Sequence, residues 1–426
     1  MRKFWLIVAV VAGVSSFADA VRADNWPNWR GPHNNGVCDE RGLPTKWSPT
    51  ERVAWKAPLP GPAGSTPVIW DGRVYLTSVD SQGDLWLMAF SDAGKELWKQ
   101  KVTGGNQIAR GDEGNYASPS PSTDGEYVFT LFGEGTLACF TTAGKPVWKF
   151  NVEDRYGRLQ LQFGLASTPV LDGDVLYVQL IHGEGDPKTR EAIVVALDKR
   201  TGQQIWKVDR PSDGYKENEH SYASPMMYDD GQRKFLLTHG ADYIVAHRLS
   251  DGREIWRCGE LNRKSNYDPT LRFVASPATA DGMIVVPTAK KGPVLALKPT
   301  GMGDITNDAN SHWWTLERTP DVPSPVIVGD YVYLCMQDGN LQVVERATGK
   351  ELYFERTHRQ RHRASPVYAD GHVYLCARDG RITVVKAGPK FEIVSEIDMG
   401  EDISSSLAIS NGTIYIRTFQ HLWAIR

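Results

Sequence analysis

Ala196-Leu197-Asp198-Lys199-Arg200-Thr201-Gly202-Gln203-Gln204-Ile205-Trp206 decides the fold, because it is one clean copy of a unit that recurs along the whole chain. Its tail returns as Gly94-Lys95-Glu96-Leu97-Trp98, Gly144-Lys145-Pro146-Val147-Trp148, Gly252-Arg253-Glu254-Ile255-Trp256 and Gly349-Lys350-Glu351-Leu352-Tyr353. A second motif opens each unit: a proline after serine or threonine, then a glycine four to six residues on. It gives Pro67/Gly72, Pro119/Gly125, Pro169/Gly173, Pro225/Gly231, Pro277/Gly282, Pro325/Gly329 and Pro366/Gly371. An eighth unit, Ser405-Ser406-Leu407 to Asn411-Gly412, lacks the proline. With Leu407 as the eighth start, the spacings are 52, 50, 56, 52, 48, 41 and 41 residues, the period of a propeller or solenoid.

Each unit reads as four short strands. A proline at a strand's first residue needs no ladder donor, so it opens strand A. The Asp-Gly or Asn-Gly that follows turns a tight hairpin into a β-branched and aromatic strand B, such as Arg73-Val74-Tyr75-Leu76-Thr77. Strand C ends at alanine or a relative, a Thr-Gly turn follows, and strand D carries the tryptophan. No long stretch holds a helical period. The fold class is therefore all-β, with four-stranded antiparallel blades stacked through Trp55, Trp98, Trp148, Trp206 and Trp256.

The last unit stops at Leu422-Trp423-Ala424-Ile425-Arg426, after strand C. Arg52-Val53-Ala54-Trp55-Lys56 matches the missing strand D, so an N-terminal strand is expected to complete the C-terminal blade and leave no open edge. That makes eight blades over residues 52–426, with 24–51 as an N-terminal extension. Met1-Arg2-Lys3, an apolar run and Ala18-Asp19-Ala20 or Val21-Arg22-Ala23 read as a signal peptide over 1–23, giving an exported protein, periplasmic or extracellular.

The formal net charge is −3, and near −5 without the leader, which argues against nucleic acid. The five cysteines, Cys38, Cys139, Cys258, Cys335 and Cys376, form no CxxC and read as free buried thiols. No segment after the leader is apolar enough for a membrane span, and a monomer is expected.

The repeat, the eight-blade count and the strand D tryptophan together resemble the quinoprotein alcohol dehydrogenase-like propellers, the PQQ-like repeat proteins. Trp26-Pro27-Asn28-Trp29-Arg30-Gly31-Pro32 is similar to the segment that begins many secreted bacterial members. The resemblance implies either an enzyme holding PQQ over Ca²⁺ or a scaffold of the outer-membrane assembly kind. The adjacent cysteines typical of the dehydrogenases are missing, and so is a lipid-attachment cysteine at the leader's end.

In a propeller the B-to-C and D-to-A loops share one face. The candidates there are Arg110, Tyr116, Arg158, His182, Glu184, His220, Tyr222, His239, Asp242, Arg272, Arg361 and Arg363. Loops on a rigid scaffold are where binding residues sit. His182, His220 and His239 with Glu184 and Asp242 have metal-ligand chemistry but no short ligand spacing, so solvated histidines are expected. Arg356, His358, Arg359, Arg361, His362 and Arg363 form a basic loop, read as solvated and balanced by nearby acids, or as a dock for an acidic partner. A third reading takes Trp26, Trp29, Trp313 and Trp314 as exposed aromatics that bind a glycan, against aromatics packed into the blade ring. No catalytic, cofactor or metal residue is assigned. The expected function is a non-catalytic binding or scaffolding module for a protein partner or small extracytoplasmic ligand, the alternative a PQQ and Ca²⁺ dehydrogenase.

Overall fold

The computed structural model describes residues 25–108, 114–183 and 192–426. The leader, Arg110 and Glu184 lie outside the described residues. Eight sheets stand in a ring, each with four antiparallel strands in sequence order. Blade 1 shows the pattern, with strands A to D at Val68–Trp70, Arg73–Val79, Leu85–Ser91 and Glu96–Thr103. Blade 8 takes Ala408–Ser410, Thr413–Arg417 and His421–Ile425 from the C-terminal end, and Val53–Pro58 from the N-terminal end as strand D. Lys56 lies opposite Trp423 in that pair, so the ring is closed by its two extremities.

One local device builds every blade. The strand D residue of each motif pairs with a small or β-branched residue of strand C. The pairs are Ala89 with Trp98, Cys139 with Trp148, Ala196 with Trp206, Ala246 with Trp256, Ala296 with Trp314, Val343 with Tyr353, Val384 with Ser395 and Ala424 with Trp55. A bulge adjoins the pair in each case, twisting the outer strand.

Each indole then reaches forward to the next blade. Trp55 donates to Asp92 O at 2.7 Å, Trp98 to Thr142 O at 3.0 Å, Trp148 to Lys199 O at 2.9 Å, Trp206 to Leu249 O at 2.9 Å and Trp314 to Arg346 O at 2.8 Å. The Thr-Gly turn must be glycine here for two reasons: Gly202 has φ +66°, and a Cβ on it would come 2.7 Å from the Trp148 ring. Trp256 fills the same gap beside Gly301, but its N–H has no acceptor among the described residues, because blade 5 inserts Gly303–Asp304 as a fifth strand alongside Trp256–Arg257. Trp314, read from sequence as exposed, is the blade 5 strut and is buried. Blade 7 has serine at this position, and Trp47 of the extension supplies a ring instead, stacked on Tyr374 with centroids 6.4 Å apart.

One unit begins later than the sequence motif places it. Blade 2 starts at Ser120-Pro121, two residues past Pro119, because Ser118-Pro119-Ser120-Pro121 offers the motif twice and Ser120 makes the inter-blade bond described below. All five cysteines are buried and none is in a disulfide.

Candidate functional site

The ring surrounds a channel whose two ends differ. At the turn face, the N-terminal extension lies across the opening. Trp26 exchanges two backbone hydrogen bonds with Ile69 of blade 1, both 2.8 Å, and Thr123 N of blade 2 donates to Pro27 O at 2.9 Å. Arg30 is 1 % exposed, and its guanidinium donates to Asn35 O (2.9 Å), Pro325 O (2.6 Å) and Pro366 O (3.0 Å), tying the extension to blades 6 and 7. Burial lowers its pKa to about 9. Val37–Cys38 then adds a short parallel strand to Tyr368–Ala369 of blade 7. Trp26 is thus buried structural material, not an exposed aromatic, and Trp29 is half-buried over the channel. A cavity of about 770 Å³ remains between the extension and blades 2 to 5, edged by Asp124, Asp172, Asp229 and Asp281 with Lys199 and Lys234. Both lysines are paired: Lys199 with Asp124 at 2.8 Å, and Lys234 with Asp172 at 2.6 Å and Asp229 at 3.5 Å.

Two stacked rings of residues, one from each blade, line the channel above the extension. The lower ring is Thr66, Ser120, Thr168, Ser224, Ser276, Ser324, Ser365 and Ser406. Seven of the eight backbone N–H groups donate to the hydroxyl of the next blade's member, from Thr66 N to Ser120 Oγ (2.9 Å) through to Ser365 N and Ser406 Oγ (3.0 Å). The hydroxyls of Ser120, Thr168, Ser224, Ser276, Ser324, Ser365 and Ser406 are therefore inter-blade fasteners, each satisfying a buried N–H that would otherwise cost about 1–3 kcal/mol.

The upper ring, two residues earlier in each blade, has no such uniformity: Gly64, Ser118, Ala166, Tyr222, Val274, Val322, Arg363 and Ser404. It opens into a mouth of about 670 Å³ on the loop face. Arg272, Lys290, Arg361 and Arg363 line that mouth, and Asp321 is the one carboxylate among its described lining residues. Arg272 donates to Glu217 at 2.6 Å and lies 4.7 Å over the Phe163 ring, which packs on the buried Tyr222 at 5.8 Å.

Of the residues singled out from sequence, Tyr222, Arg272, Arg361 and Arg363 converge on the mouth. Arg158 is exposed, and Tyr116 packs beneath Gly133 and Gly164. The histidines are not solvated. His182 is 4 % and His239 1 % exposed; His239 sits edge-on against Phe273, 5.1 Å between centroids, and burial lowers its pKa to about 3, so it is neutral. His220 is half-buried, with Nε2 3.3 Å from Gly183 O and its pKa lowered by burial. No group of three or more His, Cys, Asp or Glu side chains suited to a metal occurs among the described residues. Asp242 is also buried; loss of hydration pushes its pKa up to about 7, against the opposing hydrogen bond from Asn262 N at 2.5 Å. In the basic loop, His358 meets Asp379 at 2.8 Å and Arg356 meets Asp338 at 3.8 Å, whereas His362 is fully buried with its pKa lowered to about 4.

A Ca²⁺-held quinone requires anionic or amide oxygen ligands and a carboxylate base in the channel. Among the described residues, the neck between the rings offers hydroxyls, one tyrosine and one guanidinium, and no carboxylate. The neck's donor set does not fit the group, and in the mouth above it Asp321, the one carboxylate of the described lining beside the amides of Asn115 and Gln337, lies 3.8 Å from Lys290.

The profile of a family described as outer membrane protein assembly factor BamB matches residues 37–178 and 83–352. The chain belongs to this family of PQQ-like propellers. Among solved structures, BamB from Moraxella catarrhalis is 14 % identical, with 88 % of this chain and 99 % of that chain covered and a TM-score of 0.62. Quinohemoprotein alcohol dehydrogenase from Comamonas testosteroni is also 14 % identical, covering 96 % of this chain and 81 % of that one at a TM-score of 0.69. A europium-containing methanol dehydrogenase is 12 % identical, covering 93 % and 90 % at 0.69. At such identities the likeness shows the eight-bladed fold alone. No curated protein matches.

Proposed function

We propose that this propeller is a non-catalytic docking module that works outside the cytoplasm and presents its cationic mouth to an acidic segment of a protein partner. The observation that carries the reading is the blind funnel. One end of the channel is covered by the chain's own extension, and the other flares into a lining that, among the described residues, has four basic side chains and one acidic one, with Arg272 paired to Glu217 and Lys290 3.8 Å from Asp321. Complementary charge on a rigid rim steers and orients a partner more than it binds one tightly. A family described by an outer-membrane assembly factor supports a role in bringing proteins together, and the leader read at 1–23 supports export. No helix of the described residues is long and apolar enough to cross a membrane.

The test is a crosslinking pull-down from envelope fractions with the mature protein, compared with the Arg272→Glu, Lys290→Glu, Arg361→Glu triple variant. Loss of a specific partner in the variant, with the fold intact by circular dichroism, is the expected result. Equal capture by both proteins refutes the mouth as the docking surface. A parallel titration with PQQ and Ca²⁺ is expected to give neither thermal stabilisation nor dye-linked alcohol oxidation, and saturable stabilisation with turnover would replace the docking reading with the dehydrogenase one.

A further inference from the structure

The lower ring has one job in every blade, and its chemistry is uniform. The upper ring is free of that job, and there the chain places two unlike groups among small and aliphatic residues: Tyr222 on blade 4 and Arg363 on blade 7. Between the rings lies a neck of about 120 Å³, the liquid volume of about four waters. Its bottom is Trp29, whose indole N–H is buried and has no acceptor among the described residues. Seven of the ring hydroxyls already accept a backbone N–H, so each retains its own O–H to give. The neck is thus rich in donors, has a guanidinium in its wall, and has no carboxylate among its described lining. A cation finds no charged oxygen there. A compact anion finds hydroxyl donors around it and a charge-assisted partner in Arg363, which also keeps an interaction of its own.

We propose that this neck binds one tetrahedral oxyanion, phosphate or sulfate, either as the free ion or as the head of a longer ligand whose body rises into the mouth. The site stands whether or not a protein docks on the rim. It differs from a quinone site in needing neither metal nor carboxylate.

The test is calorimetric titration of the mature protein with inorganic phosphate and with sulfate at fixed ionic strength, with chloride as control, beside Arg363→Gln and Trp29→Phe variants whose folding is checked by circular dichroism. The expected result is saturable one-to-one binding of the oxyanions, absent with chloride and weakened about tenfold or more in Arg363→Gln. If Arg363→Gln fails to fold, Trp29→Phe, which keeps the ring and removes the N–H, carries the test, with weakened binding expected. Phenyl phosphate binding alongside phosphate identifies the head of a longer ligand; phosphate binding alone identifies the free ion; both support the site. Absence of saturable oxyanion binding overturns the proposal, and so does binding of unchanged strength in the folded variants.

Discussion

The two ends of one channel are made by opposite means. The closed end is built from buried groups tied to the ring: Arg30 gives three hydrogen bonds to carbonyls of its own segment and of blades 6 and 7, and the Trp26 backbone pairs with blade 1. The open end is built from half-buried or exposed side chains on long loops, several of them cationic. The same contrast recurs inside the channel, where a uniform ring of hydroxyls sits two residues from a ring with no common chemistry. Where every blade must solve the same packing problem the residues repeat, and where no blade needs anything the chain is free to carry chemistry.

Changes at the closed end should therefore cost stability, and changes at the open end should not. Arg30→Ala orphans three carbonyls and leaves a cavity, and should lower unfolding stability by about 3 kcal/mol or more, read as a shift of the urea midpoint. A midpoint that stays put would show that the extension merely rests on the ring. Ser276→Ala removes the acceptor of Ser224 N–H and should cost about 1–3 kcal/mol, while Ser404→Ala in the upper ring should cost under about 0.5 kcal/mol. Equal losses would erase the distinction between the rings.

Asp242 sharpens the contrast on the loop side. Its folded pKa of about 7 lies above the ordinary carboxylate value, so its neutral form is favoured by the fold. That contribution is fully present below about pH 4 and is lost as pH rises through 7, where a buried charge must be tolerated. Asp242→Asn should flatten the decline between pH 4 and 7 and stabilise the protein at pH 8 by an amount on the order of 1 kcal/mol, seen as a pH series of urea midpoints. A parallel decline in the variant would remove this carboxyl from the explanation. Of the mouth changes, Lys290→Glu and Arg361→Glu should each shift stability by no more than about 0.5 kcal/mol, with Arg272→Glu costing more because it sets a second carboxylate beside Glu217, and the main effect of the triple change falls on partner capture.

What could be read in the sequence follows the same division. The strand D tryptophans, the eight units and closure by Val53–Pro58 were legible because a demand repeated around a ring prints a repeated pattern. The hydroxyl fasteners printed a pattern too: serine or threonine precedes each opening proline, and Ser406 remains where the proline is lost. Serine precedes both Pro119 and Pro121, so the motif did not distinguish them, and the inter-blade bond to Ser120 is what places the start of blade 2 at Pro121. The channel plug left no periodic trace, since Arg30 meets partners 295 and 336 residues away. The histidines looked wet because their own loops are polar, but what covers them comes from elsewhere in the chain: Phe273 packs on His239.

Closure by the two extremities also sets an order of events. Val53–Pro58 precedes every strand of blades 1 to 7 along the chain, and the strand it needs, His421–Ile425, follows all of them. Seven blades have all their strands before the eighth does, so until His421–Ile425 arrives the molecule is an open arc with one frayed strand. Closing the circle thus waits on a pairing that spans all the other blades, and the entropy of joining such distant segments is met there.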